Sequence, residues 1–192
     1  MDALRDRVDK VFEAAILLHE RVRRMELTMV TRAAATIGDA FARGGRLFVF
    51  GNGGSAADAQ HMAAEMVGRF ARERRALAAI ALTTDTSVLT SVANDYSFEQ
   101  VFVRQLEALA RPGDVAFGIS TSGNSANVLK ALEAAKAGRL HTIALTGRDG
   151  GALGRVADTH INVPDSSTAR VQEVHLTLIH AICELVEDSL DA

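Results

Sequence analysis

Two chemically useful side chains, His61 and Glu65, lie four positions apart in a stretch with helical spacing. Residues four apart share one helix face. The apolar stripe of this stretch lies on nearly the opposite side and consists of Ala59, Met62, Ala63, Met66 and Phe70. The pair is therefore either a solvated ion pair or a metal-binding or proton-transfer pair that faces a second subunit. Spacing alone favours the solvated pair.

A hydroxyl-rich turn is the second candidate for chemistry. It runs from Ser120 to Ser125 with the sequence STSGNS, and helical spacing follows from Ala126 to Ala137. Hydroxyls and free N–H groups at a helix start can hold a phosphate without any lysine. A capped helix is the simpler interpretation, because Ser and Asn are favoured N-caps. Three serines and a threonine exceed what a cap needs, so the turn predicts an anion site, phosphate above all.

A glycine turn from Gly51 to Gly54 separates an apolar run, Leu47 to Phe50, from a helical stretch, Ser55 to Phe70. Glycines at such a position let backbone N–H groups approach an anionic group at a helix N-terminus. The turn fits the loose G-x-G-x-x-[GA] dinucleotide pattern, but no acidic residue follows about 20 positions on. No lysine follows the glycines either, which excludes a nucleotide P-loop. We expect an anion cradle.

The predicted final helix, about Thr168 to Leu190, carries Gln172, His180 and Cys183. Gln172 and His180 lie at one edge of a wide apolar arc, about 12 Å apart along the axis. Sharing one ligand would require both side chains to lean inward, or two chains to contribute. An isolated histidine at such an edge is more often a plain surface or core residue. Cys183 lies on the apolar face, which indicates a buried structural thiol, and as the only cysteine it excludes an internal disulfide.

Five short apolar runs alternate with helical stretches after residue 46. They are Leu47–Phe50, Leu77–Leu82, Val115–Ile119, Thr142–Leu145 and Ile161–Val163. Near-continuous apolar runs are typical of strands covered on both faces. Repeated strand–helix units predict a parallel sheet with right-handed crossovers and helices on both sides, a three-layer α/β fold. We expect one domain over residues 1–192.

The N-terminal segment, residues 1–44, shows helical spacing from Leu4 to Phe41, and Gly44-Gly45 ends the pattern. This predicts one long helix or two in succession, longer than about 10 to 14 residues, the usual length. Such length often indicates packing against another chain, so we expect this segment to pack in an oligomer.

Composition limits which binding partners and which cell compartment are expected for the protein. The net charge of −3 gives no case for nucleic acid or an anionic membrane as partner. The N-terminus lacks the apolar core of a signal peptide, and no run reaches about 18 apolar residues. With its single cysteine, the sequence predicts a cytoplasmic protein without a membrane partner.

Five segments together resemble one family. They are FVFGNGGSAADAQHMAAEM, ANDYSFE, GISTSGNSANVLKAL, ALTGRDGG and RVQEVHLTLIHAI. From about Arg46 to Val186 the chain resembles sugar isomerase (SIS) domains of the phosphoheptose isomerase branch. The resemblance implies a flavodoxin-like SIS fold with a central five-stranded parallel sheet. It also implies a homotetramer with active sites at subunit interfaces and one zinc ion per subunit.

The activity implied by the resemblance is aldose–ketose isomerisation. Sedoheptulose 7-phosphate would become D-glycero-D-manno-heptose 7-phosphate, the first step towards nucleotide-activated heptose for lipopolysaccharide core or other surface glycans. A carboxylate can carry a proton between two carbons through an enediol while an imidazole moves protons on oxygens. Glu65 would therefore be the base and His180 the acid. Zinc would either stabilise the oxyanion or be incidental.

The resemblance also implies a residue set for each part of the site. The substrate-binding residues would be Asn52, Gly53, Gly54, Ser55, Glu65, Asn94, Asp95 and Gln172, with Ser120, Thr121, Ser122 and Ser125 on the phosphate. The zinc ligands would be His61, Glu65, Gln172 and His180. Some members carry an acidic residue where this chain has Ala169, so no acid is expected to act there.

Two other functions compete with the enzyme. A non-enzymatic SIS relative binds the bacterial replication initiator and lacks the glutamate and histidine at the positions of Glu65 and His180. A regulator that senses sugar phosphates would usually need an attached domain, for which 192 residues leave no room. The presence of Glu65 and His180 favours the isomerase.

Overall fold

The computed structural model describes residues 2–25 and 27–190. Its core is one parallel five-stranded sheet with the order β2-β1-β3-β4-β5. The strands are β1 (Leu47–Gly51), β2 (Ala79–Ala81), β3 (Val115–Ser120), β4 (His141–Gly147) and β5 (Thr159–Val163). Each predicted apolar run overlaps one strand, so the predicted α/β fold with a five-stranded parallel sheet is confirmed.

Helices connect and flank these strands. They are α1 (Asp2–Arg23), α2 (Thr28–Ala42), α3 (Gly54–Val67), α4 (Thr86–Asp95), α5 (Val103–Leu109), α6 (Ala126–Ala137), α7 (Leu153–Val156) and α8 (Thr168–Leu190). The N-terminal segment thus forms two successive helices, one of the two predicted arrangements. Over the residues that the structure describes, no helix has the combination of length and apolarity needed to cross a bilayer.

Both faces of the sheet are covered. Side chains alternate along a strand, so Val49 of β1 packs in a core with α2, α3 and α8, while Phe48 and Phe50 pack in a second core with α5 and α6. Burial on both faces explains why the strands are apolar at nearly every position. The sheet is therefore the middle of three layers.

Helix α1 leaves much of its apolar surface uncovered within one chain. Its exposed apolar residues include Leu4, Val8, Val11, Phe12, Ile16 and Leu17. Only Leu18 and Val22 are buried on this helix. Polar contacts hold α1 to the rest of the chain: Arg170 donates to the Val11 carbonyl, and the His19 ring bonds Thr177.

Candidate active site

The loops that follow β1 and β3 meet at the carboxyl edge of the sheet. β1 and β3 are neighbours in the sheet, but the chain continues from β1 to β2 on one side and from β3 to β4 on the other. Open α/β sheets bind ligands at the point where the connections diverge in this way. The side-chain amides of Asn52, in the loop after β1, and Asn127, at the start of α6, form two reciprocal hydrogen bonds, each 2.8 Å. Asn52 was a predicted site residue. Asn127 was not, because no spacing pattern connects it with a residue 75 positions away.

The hydroxyls of the hydroxyl-rich turn from Ser120 to Ser125, hereafter the serine turn, cluster around the end of β3. The Ser120 Oγ lies 2.9 Å from the Ser125 Oγ and 3.3 Å from the Ser122 Oγ. Ser120 is buried, whereas Ser122 and Ser125 are half-buried. The Ser125 side chain makes no capping hydrogen bond to α6. The capped-helix interpretation is therefore wrong for Ser125, and three predicted phosphate ligands lie together.

A second loop, which follows β4, supports the serine turn. Gly123 (φ 67°) and Gly151 (φ 56°) pack so closely that a Cβ on either would overlap the backbone of the other loop. The Leu153 N–H donates to the Gly123 carbonyl at 3.0 Å, and the Ala152 N–H donates to the Asn124 Oδ1 at 3.0 Å. Because only glycine readily takes positive φ at such contacts, the turn has a fixed backbone shape.

His175 holds the end of β4 from the opposite side. It is completely buried, and its Nε2 lies 2.9 Å from the Thr146 carbonyl. A carbonyl only accepts, so Nε2 donates. The Nδ1 has no partner within the described structure. Burial lowers the pKa of His175 to about 4, although the Thr146 bond acts to raise it, so the ring is neutral at pH 7.

The predicted catalytic residues converge between α3 and α8. The Nε2 atoms of His61 and His180 are 2.8 Å apart, and the His61 Nε2 lies 3.5 Å from the Glu65 Oε1. The Phe70 ring packs beside His180 at a centroid distance of 5.5 Å. The His61 and Glu65 side chains are 40% and 23% exposed. The pair therefore contacts α8 and is more than a solvated ion pair.

Gln172 lies at the other end of the same contact between helices. Its amide packs against Gly54 at the start of α3, where a Cβ would overlap it. His61 lies seven residues after Gly54 on α3, and His180 lies eight residues after Gln172 on α8. These two histidines are also in contact. The two helices therefore run side by side in the same direction, and Gly54 lets them approach. This places Gln172 and His180 along one face of α3.

Asp58 lies one turn before His61 on α3 and was not predicted from sequence. Burial raises its pKa to about 6, and the neighbouring charge of His61 only partly opposes this. Its Oδ2 is buried and has no hydrogen-bond partner in the part of the chain described. A lone aspartate in an apolar helix gives no sequence signal, because its burial depends on what packs over it.

The side chains of this cluster are of the kinds that bind zinc, but the Nε2 atoms of His61 and His180, 2.8 Å apart, are too close together to bind one ion. Imidazole nitrogens and a carboxylate oxygen are usual zinc ligands. Two nitrogens on one tetrahedral zinc ion stand about 3.3 Å apart, so His61 and His180 would have to separate slightly. Among residues 2–25 and 27–190, no three His, Cys, Asp or Glu side chains are placed to hold a metal ion as they stand.

The remaining predicted residues lie in three places: Thr121 is half-buried in the serine turn, and the others are in the glycine turn and at the end of α4. Ser55 is buried under Gly51, and Gly53 takes a positive φ of 57° in the glycine turn. Asn94 and Asp95 are exposed at the end of α4, where the Asn94 amide donates to the Asp95 carboxylate at 2.8 Å. The structure brings neither of these two into hydrogen-bond contact with the other predicted site residues that it describes.

Comparison with known proteins defines the class and then the family. The family model described as SIS domain matches residues 11–147. The solved structure of phosphoheptose isomerase GmhA from Neisseria gonorrhoeae superposes with a TM-score of 0.92 at 47% identity, covering 96% of this chain and 99% of that chain. The fold and the loops at its carboxyl edge are thus those of a SIS domain.

Proteins with similar sequences identify the family within the SIS-domain class. The phosphoheptose isomerase of Roseiflexus sp. (strain RS-1) is 52% identical over 183 residues, which is 95% of this chain and 92% of that protein. The phosphoheptose isomerase of Geotalea daltonii is 60% identical over 154 residues, 80% of each chain. This chain belongs to the phosphoheptose isomerase family of SIS-domain proteins.

Proposed function

We propose that the protein isomerises sedoheptulose 7-phosphate to D-glycero-D-manno-heptose 7-phosphate, the first step in making nucleotide-activated heptose for lipopolysaccharide core or other surface glycans. The observation that carries the proposal is the convergence of His61, Glu65 and His180 between α3 and α8. The names of the relatives support it.

The phosphate is proposed to bind at the serine turn. The Ser120 hydroxyl lies within 3.3 Å of the hydroxyls of both Ser122 and Ser125, and the first N–H groups of α6 add the favourable end of a helix dipole. Thr121 belongs to the same turn. Asn52, Gly53, Gly54 and Ser55 are proposed to hold the sugar from the neighbouring loop, with Asn94, Asp95 and Gln172 completing the set.

Proton transfer is assigned to the helix pair. Glu65 takes a proton from one carbon of the bound hydroxyketone and returns it to the next carbon through an enediol. His180 moves protons on the substrate oxygens. At 2.8 Å, one of the two Nε2 atoms of His61 and His180 must donate and the other accept. His61 thereby fixes the orientation of the His180 ring.

A zinc ion, one per subunit, is proposed at His61, Glu65, Gln172 and His180. When bound, such an ion supplies a Lewis acid that stabilises negative charge on a substrate oxygen. We expect chelation to lower turnover and added zinc to restore it, measured with metal analysis of the same samples. Full activity of metal-free protein would make the ion incidental and leave the role of Glu65 unchanged.

A panel of ketose phosphates assayed by NMR in deuterated solvent tests the function itself. The wild type should convert sedoheptulose 7-phosphate and incorporate deuterium at the carbons between which the proton moves. Turnover of another ketose phosphate alone would change the substrate but keep the reaction. If no ketose phosphate is turned over or exchanged, the alternative, a protein that binds the replication initiator, becomes the better assignment.

The assembly proposed is a homotetramer in the cytoplasm with active sites at subunit interfaces. The uncovered apolar residues of α1, such as Val8, Phe12 and Ile16, support burial by other subunits. The buried thiol of Cys183, whose pKa burial raises to about 12, suits a reducing compartment. Light scattering should give four times the chain mass, and a monomer at micromolar concentration would contradict the assembly.

A further inference from the structure

The connection between α3 and β2 is organised around one arginine. The Arg74 guanidinium is buried, and it donates to the carbonyls of Glu65 (2.8 Å), Met66 (2.8 Å) and Gly68 (3.1 Å). The last carbonyls of a helix lack partners within the helix, and a cation there also favours the helix dipole. Arg74 therefore terminates α3 through the main chain of the proposed catalytic base itself.

The carboxylate of Glu187, on α8, completes this arrangement. It is 3% exposed and accepts from the backbone N–H groups of Phe70, Ala71 and Arg72 at 2.8 to 3.0 Å. Its Oε1 lies 3.1 Å from the Arg74 Nε. Burial acts to raise the pKa of Glu187, but these hydrogen bonds and the charge of Arg74 outweigh it and hold the pKa below its usual value.

The same groups lie beside the proposed proton-transfer residues. His180 is seven residues before Glu187 on α8, about two turns, so both project from the same face. Phe70 links the two, because its N–H bonds Glu187 while its ring packs on His180. Arg74, in the connection after α3, donates to the carbonyl of Glu65 on α3. These contacts of Phe70, Arg74 and Glu187 therefore hold both helices beside the proposed proton-transfer residues.

We propose that Arg74, paired with Glu187, is a positioning residue that sets the distance between Glu65 on α3 and His180 on α8. The inference rests on the proposed function, because it assigns a role in the same reaction. Neither residue contacts the serine turn in the described structure, so the pair should control turnover and leave phosphate binding alone. A misplacement of about 1 Å between reacting groups can lower a rate about 100-fold.

Arg74→Lys is the informative variant. Lysine keeps a positive charge beside buried Glu187, but its single ammonium cannot span the Glu65, Met66 and Gly68 carbonyls as the guanidinium does. We expect kcat for sedoheptulose 7-phosphate to fall about 10- to 100-fold while KM stays within about twofold. The matched control is Arg72→Ala, which breaks the Arg72–Asp188 ion pair (2.6 Å) between the same two segments, where both side chains are about half exposed. It should keep near wild-type kcat.

A structural role alone predicts a different result. If Arg74→Lys merely reduced the folded fraction, kcat would fall in proportion to the loss of native protein measured by circular dichroism, and the inference would be overturned. Wild-type kcat in folded Arg74→Lys would overturn it as well. If Arg74→Lys does not fold, Glu187→Gln serves as the second variant, because it keeps the volume and one acceptor oxygen while removing the charge. It should show the same fall in kcat at constant KM, and unchanged kcat would contradict the inference.

A measurement without turnover separates this inference from the proposed function. In NMR spectra, Arg74→Lys should shift the imidazole nitrogen resonances of His61 and His180 and leave the backbone amide of Ser122 unmoved. Unshifted imidazole resonances would overturn the positioning role even if the wild type is an active isomerase. If the wild type turns over no sugar phosphate but Arg74→Lys still shifts these resonances, the positioning geometry is supported while the proposed function fails.

Discussion

The two halves of the candidate site are built by opposite means. The half proposed to bind phosphate consists of loops after β1, β3 and β4, in which small side chains and glycines such as Gly123 and Gly151 fix the backbone. The half proposed to transfer protons consists of long side chains, among them Glu65 and His180, that reach across the contact between α3 and α8. The main chain fixes the shape of one half, and the other half depends on how two helices lie together.

Substrate affinity and turnover are therefore expected to depend on different parts of the fold. The loops stand on the sheet, so their shape is set by strand pairing and by close contacts between backbones. The helix pair has no such ladder and relies on the Gly54–Gln172 contact at one end and the Arg74–Glu187 pair at the other. We therefore expect substrate affinity and turnover to be separable by mutation.

The largest separation is expected from Glu65→Gln. The amide keeps size and hydrogen bonding but removes the base, and a positioned general base contributes about 10²- to 10⁴-fold in rate. We expect kcat and deuterium exchange to fall by this factor while calorimetric affinity for sedoheptulose 7-phosphate stays near wild type. Glu73→Gln, at a side chain that is 93% exposed, is the matched control. Exchange at the wild-type rate in Glu65→Gln would assign the base to another residue.

The converse separation is expected from Ser120→Ala and Ser122→Ala. Each lost hydrogen bond to a charged group costs about 1.5 to 3 kcal/mol, which corresponds to roughly 10- to 150-fold in affinity. The loss should appear in KM and in calorimetry, with a smaller change in kcat, because the phosphate is remote from the reacting carbons. Ser87→Ala, at an exposed position of α4, is the control. Unchanged affinity in both variants would place the anion elsewhere.

The sequence predicted regular elements well because side-chain periodicity reports burial directly. The predicted bounds of α6 and α8 agree with the structure residue for residue. The run Leu77–Leu82 was longer than its strand, because β2 lies at the sheet edge and pairs only with β1. Its flanking residues Leu77 and Leu82 are buried all the same. These two residues are therefore apolar because they pack in the core, and not because they pair with a neighbouring strand.

Parts of the site that depend on contacts between distant residues escaped prediction. The amide of Asn127, the carboxyl of Asp58 and the ring of His175 acquire their environments only when α3, α6 and α8 pack on the sheet. Residue type and spacing did identify His61, Glu65 and the serine turn as candidates, since chemistry restricts which side chains can act. Spacing alone did not connect His61 and Glu65 with His180; only the family resemblance implied that connection, and the folded chain shows the contact.

The smallest effects are expected where the two halves respond to pH. His175 supports the phosphate half with a pKa lowered to about 4, and Asp58 belongs to the helix pair with a pKa raised to about 6. Their ordinary values are about 6.5 and 3.8. The unfolded state binds more protons at His175 between pH 4 and 6.5, so that contribution to stability is complete above pH 6.5 and is lost as pH falls.

Asp58 acts in the opposite direction. The folded state binds more protons there between about pH 4 and 6, so its contribution is complete below pH 4 and is lost as pH rises through 6. The two slopes oppose each other across the same window. Asp58→Asn should therefore steepen the rise of stability with pH, and His175→Gln should flatten or reverse it.

Urea unfolding from pH 4 to 8 at fixed protein concentration measures both slopes, because protein concentration alters the apparent stability of an oligomer. Each variant should differ from wild type by on the order of 1 to 3 kcal/mol between the ends of this range, since one pKa unit corresponds to about 1.4 kcal/mol. Other titrating groups are shared by the wild type and the variants, so the difference isolates the mutated one. Parallel curves for wild type and Asp58→Asn would mean that Asp58 titrates alike in the folded and unfolded states, which would contradict the raised pKa that its burial gives it.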